Sequence, residues 1–100
     1  MNTPTYDTFN AILGREVRRE REARGWSLRE FALIADVNYR LLFEIEHGTG
    51  NPTFKTLLRL AEGLNIPLSV LVGKAEASHF DPEATVVTYR IYEPQATDEE

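Results

Sequence analysis

The sequence predicts an all-α domain of five short helices, followed by a C-terminal β-strand extension. Three observations predict it. Apolar residues recur at three- and four-residue spacing through residues 5–73. Helix-start signals interrupt that pattern at short intervals, so each helix is brief. Composition then changes in kind at residues 85–92, which are β-branched and aromatic between Pro82 and Pro94.

The first helix is expected to start after Pro4 and run to Arg24. Phe9, Leu13 and Val17 lie on one face, and Gly25 follows as a C′ residue. Glu16/Arg19, Arg18/Glu22 and Glu20/Arg24 stand at the spacing of helix neighbours. Arg15, Arg18, Arg19, Arg21 and Arg24 therefore read mainly as a solvated face interleaved with glutamates. The second helix carries a capping box, with Ser27 as N-cap and Glu30 three residues on. Trp26 before the cap and Phe31 at the fourth helical position form a hydrophobic staple, and Phe31, Ala32 and Ala35 give the buried side. This helix ends near Asp36. Asn38 then caps a third helix, Val37 and Leu42 repeat the staple, Leu42 and Ile45 point inward, and Gly48 closes it.

Residues 48–51 read as a loop. Pro52-Thr53 opens the fourth helix, with Leu57, Leu60, Ala61 and Leu64 as its apolar side and Gly63 or Asn65 as its end. A short fifth helix begins at Pro67, buries Leu68, Leu71 and Val72, and completes a domain at 5–73. Residues 74–100 are expected to be an acidic tail containing the strand at 85–92, with Val87, Tyr89 and Ile91 on one of its faces. A lone strand is not stable, so it pairs with another copy or another protein, with that face as the dimerisation or partner-binding element, or folds back on an unrecognised strand, or stays disordered.

Charge distribution bounds the partners. The net charge is −5, but residues 13–72 hold nine Arg/Lys against eight Asp/Glu, so the acidity belongs to the tail. A near-neutral body binds phosphates only where its basic groups share one face. There is no cysteine, which excludes disulfides and thiolate metal sites. Two distant histidines, His47 and His79, make no metal set, and no nucleophile–base spacing suggests an enzyme. No cofactor is expected. No apolar run approaches the roughly 18 residues of a membrane span, and a cytoplasmic location is expected.

Two short helices with a tight turn, the second capped and presenting its first residues, form a helix-turn-helix. Its second helix fits the major groove while the first crosses the backbone. The stretch from Leu13 to Val72, with LREFALIADVNYRLLFEIEHG as the helix pair and NPTFKTLLRLAEGLNIPLSVLV after it, resembles the Cro and phage-repressor (XRE-like) helix-turn-helix family. The resemblance implies a five-helix lambda-repressor-like domain that binds double-stranded DNA. It implies base contacts by Tyr39, Arg40 and Glu44, joined by Asn38. It places Ser27, Leu28, His47, Asn51 and Lys55 near the DNA backbone, and it implies a structural ion pair between Arg21 and Glu46. On chemistry alone, the Arg40 fork suits guanine O6 and N7, and Glu44 can accept from cytosine N4.

The sequence departs from the family pattern in three places. Leu28 replaces a phosphate-holding glutamine. Asp36 replaces the glycine of the turn. Leu41 and Phe43 put apolar groups on or near the exposed side of the reading helix. Phe43 suits either thymine methyls or a protein partner. Two functions stay open: a homodimeric sequence-specific regulator, expected to be a repressor, or a protein-interaction module such as an antitoxin whose acidic tail binds a basic partner.

Overall fold

The structure, a computed structural model, describes residues 6–79. They form α1 (Tyr6–Ala23), α2 (Leu28–Ala35), α3 (Tyr39–Glu46), α4 (Phe54–Leu64) and α5 (Leu68–His79). α1 packs on α3 and α5, α2 packs on α3 and α4, and α4 packs on α5. The strand expected at 85–92, with Val87, Tyr89 and Ile91, lies outside the described residues.

Local chemistry sets the helix ends. Ser27 Oγ accepts from Glu30 N at 3.0 Å, and Glu30 Oε1 accepts from Ser27 N at 2.8 Å, which closes the capping box. Asn38 Oδ1 accepts from Leu41 N at 3.0 Å and Thr53 Oγ1 from Thr56 N at 3.1 Å. Each such cap contributes about 1 kcal/mol by satisfying a backbone donor that has no partner inside its helix. Asp36 ends α2 at φ 58°, a left-handed conformation that a short polar side chain tolerates better than most, so the turn survives without glycine. Asn65, not Gly63, caps α4 in the same way, at φ 60°.

The core joins all five helices. Val17 of α1, Phe31 of α2, Leu42 and Ile45 of α3, Leu60 and Leu64 of α4 and Leu71 of α5 are its largest fully buried side chains. Trp26 and Phe31 stack at 5.6 Å, which makes the staple that ties the α1–α2 connection to the core. Gly14 marks the tightest approach: a Cβ there would lie 2.1 Å from the Ile45 carbonyl oxygen, so α1 and α3 cross with no room for a methyl group.

α5 departs from the sequence reading. It runs to His79, six residues past the expected end at 73, so residues 74–79 are helical. Ala75 is fully buried, and Lys74 Nζ bonds Glu20 Oε2 of α1 at 2.7 Å. Docking on α1 outweighs the roughly 1 kcal/mol that Gly73 costs inside a helix. Leu41 also differs: it is half-buried and packs against the core. Among the described residues, no single helix is long and apolar enough to cross a membrane.

Candidate nucleic-acid interface

α3 is amphipathic over two turns. Leu42, Ile45 and Glu46 face inward, while Tyr39, Arg40 and Phe43 face out and Glu44 is half-exposed. Tyr39, Arg40, Phe43 and Glu44 surround one shallow depression, together with Thr49 of the following loop. Arg40 Nε stands 3.5 Å from Glu44 Oε2, so these two groups neutralise each other across one helical turn. The Arg40 side chain is 85% exposed, so this pair opens at little cost. The His47 ring stacks on Phe43 with centroids 4.0 Å apart, and its Nδ1 lies 2.8 Å from the Phe43 carbonyl oxygen.

The remaining sequence-predicted residues lie on other elements. Ser27 and Leu28 begin α2; Ser27 is exposed, and Leu28 is half-buried against the core. Asn51 is exposed in the loop before α4, and Lys55 is exposed in its first turn. Tyr6 Oη donates to Asn51 Oδ1 at 2.8 Å, which leaves the Asn51 amide N–H groups free to donate elsewhere. Asn10 steadies the same loop from below, its Nδ2 donating to the Gly50 carbonyl at 2.6 Å.

The angle of α3 against α1 is held by Arg21. Its Nε and a terminal amino group donate to the two Glu46 carboxylate oxygens at 2.7 and 2.9 Å, and the other amino group donates to the Trp26 carbonyl at 2.8 Å. The bonded Glu46 carboxylate raises the Arg21 pKa above its ordinary value, against the opposing effect of burial. Two more α1 arginines, Arg18 and Arg19, pair with Glu22 and Glu16, and Arg24, just past the helix end, pairs with Glu20.

Arg29 stands beside the candidate site, and sequence reasoning missed it. Its guanidinium lies 4.6 Å from the Tyr39 ring centroid and so adds a cation beside the start of α3. The stack is tertiary and leaves no local pattern. One signal was readable: Arg29 is the second residue of α2, where a cation opposes the helix dipole. Among the described residues, no group of three His, Cys, Asp or Glu is placed to hold a metal.

The profile of the helix-turn-helix family HTH_3 matches residues 17–71, from the middle of α1 into α5. The chain belongs to this helix-turn-helix family. Among its relatives is the HTH-type transcriptional regulator SutR of Escherichia coli K12, 36% identical over 90 residues. That match covers 84% of this chain and 51% of SutR, so the chain spans about half the length of this curated relative. The helix-turn-helix fold also appears in similar solved structures. The clp gene regulator ClgR of Corynebacterium glutamicum superposes with a TM-score of 0.68 at 25% identity, covering 85% of this chain and 90% of ClgR. The restriction-modification controller protein C.AhdI of Aeromonas hydrophila gives 0.59 at 26% identity, covering 61% of this chain and 92% of its own. An HTH_3 family transcriptional regulator of Vibrio cholerae gives 0.65 at 30% identity, covering 70% of this chain and 39% of its own.

Proposed function

We propose that the protein is a sequence-specific DNA-binding transcriptional regulator, a homodimeric repressor, whose α3 enters the major groove. The observation that carries this reading is the outer face of α3. In a helix-turn-helix chain, a capped helix with a buried inner side presents Tyr39, Arg40, Phe43 and Glu44 together. Arg40 reads guanine through O6 and N7, Glu44 accepts from cytosine N4 once its pair with Arg40 opens, and Asn38 and Tyr39 contact the edges nearest the helix start. Ser27, Leu28, His47, Asn51 and Lys55 flank the sugar-phosphate backbone. The free N–H groups at the starts of α2 and α4 add phosphate contacts without needing charge. This arrangement suits a body in which most α1 arginines are already spent on carboxylates. As a homodimer the protein is expected to bind half-sites about one helical turn apart.

The regulator names of SutR, ClgR and C.AhdI support this reading over a module devoted to protein partners. Leu28, which stands in place of a phosphate-holding glutamine, packs against the core and so offers a protein partner little apolar surface. Selection of bound duplexes from a random-sequence pool tests the proposal. Enrichment of an inverted repeat is expected. A pool that stays random after repeated rounds overturns it.

A further inference from the structure

Phe43 leaves 43% of its surface in water, yet its ring is not loose. His47 covers one face at 4.0 Å, with the ring planes 20° apart, and the His47 ring is anchored by its Nδ1 to the Phe43 carbonyl at 2.8 Å. The depression beside Phe43 has a volume of about 490 Å³; Tyr39 and Phe43 are its aromatic walls, and Arg40, Glu44 and Thr49 complete it. It is therefore a rigid apolar wall set among hydrogen-bonding groups. A large apolar protein partner fits it poorly, because covering Phe43 would also desolvate Arg40 and Glu44 beside it. A small apolar group carried on a polar edge fits well. In the major groove, base edges present one such group: the 5-methyl of a pyrimidine, found on thymine or on methylated cytosine.

We propose that Phe43 is a specificity-determining residue that packs against a pyrimidine 5-methyl group in the major groove, with His47 as the positioning residue that holds its ring. The inference rests on the reading of α3 as the groove-entering helix. A ring already held in place loses little rotamer freedom on contact, so most of the methyl group's burial appears as discrimination.

The experiment starts from the site selected out of the random pool. Each thymine is replaced in turn by deoxyuridine, which deletes only the methyl group. Each cytosine is replaced in turn by 5-methylcytosine, which adds one. Affinity is measured for the full chain and for Phe43→Ala, His47→Ala and His47→Phe. One position per half-site is expected to show a methyl effect of about three- to fivefold. A loss with deoxyuridine identifies thymine as the source, and a gain with 5-methylcytosine identifies the modified base. Phe43→Ala abolishes this effect, so that whatever its overall affinity it binds the methyl-bearing and methyl-free sites equally. His47→Ala weakens it, and His47→Phe, which keeps a stacked ring, restores it. Flat scans on a selected site overturn the inference and leave the DNA reading standing, as does a methyl effect that survives Phe43→Ala. Failure to select any site overturns both.

Discussion

Replacing Glu46 by leucine removes the partner of a charge that cannot reach water easily. The Arg21 side chain is 11% exposed and that of Glu46 2%, and two of the three Arg21 hydrogen bonds end on Glu46. A buried ion left alone costs about 3–5 kcal/mol, whereas removing both ions together is often close to neutral. The total stability of such a domain is about 5–15 kcal/mol. The single change therefore removes a large share of it and lowers Tm by about 12–40 °C, at roughly 4–8 °C per kcal/mol for a domain of this size. Arg21→Met, which leaves the buried Glu46 charge, falls in the same range and also frees the Trp26 carbonyl. The double variant Arg21→Met with Glu46→Leu is expected to recover most of the loss. Urea unfolding of the four proteins, followed by circular dichroism, gives the coupling energy directly. Single losses below about 1 kcal/mol, or a double variant whose loss equals the sum of the singles, would refute the idea that the α1–α3 angle rests on this pair.

Three further outcomes follow from the packing. Gly14→Ala forces a methyl group against the Ile45 carbonyl oxygen, so it should cost at least about 2 kcal/mol in the same urea assay; a neutral result means the α1–α3 crossing is looser than described. Gly73→Ala meets nothing within 4 Å and sits inside α5, so it should stabilise by about 0.5–1 kcal/mol, and a loss would mean the helix does not continue through this position. The hydrogen bond from Lys74 holds the Glu20 carboxyl below its ordinary 4.5, and Arg24 adds to this against the opposing effect of burial. A depressed folded-state pKa gives stability that is complete above 4.5 and lost as pH falls through the folded value. Glu20→Gln should therefore flatten the acid limb of stability against pH, and an unchanged limb would remove Glu20 from the account.

The features legible in the sequence are those decided by neighbours along the chain. Ser27 with Glu30, Asn38 and Thr53 mark helix starts because a cap bonds a donor two or three residues away. The α1 ion pairs were legible at three- and four-residue spacing for the same reason. The left-handed turn at Asp36 followed from what its side chain tolerates. Apart from the Arg21–Glu46 pair, which the family resemblance supplied, features that depend on distant partners were not legible. The continuation of α5 rests on a small buried residue, Ala75, and on a bond from Lys74 to Glu20, 54 positions away, while Gly73 argues locally for an end. The space requirement at Gly14 comes from the α3 backbone. At the candidate interface, periodicity separated the inner residues Leu42 and Ile45 from the outer Tyr39, Arg40 and Phe43. It did not show that Arg29 stacks on Tyr39 or that His47 covers Phe43, because ring positions are set by tertiary neighbours.

The central claim, that α3 reads a DNA sequence, is tested most directly by fluorescence anisotropy. Labelled DNA from upstream of the protein's own gene is titrated with the full chain, with a scrambled competitor, at two salt concentrations. Saturable binding that resists the competitor and weakens as salt rises is expected, and Arg40→Ala should narrow the gap between specific and scrambled DNA. Absence of binding near physiological salt, or binding that the scrambled competitor removes equally well, would contradict it.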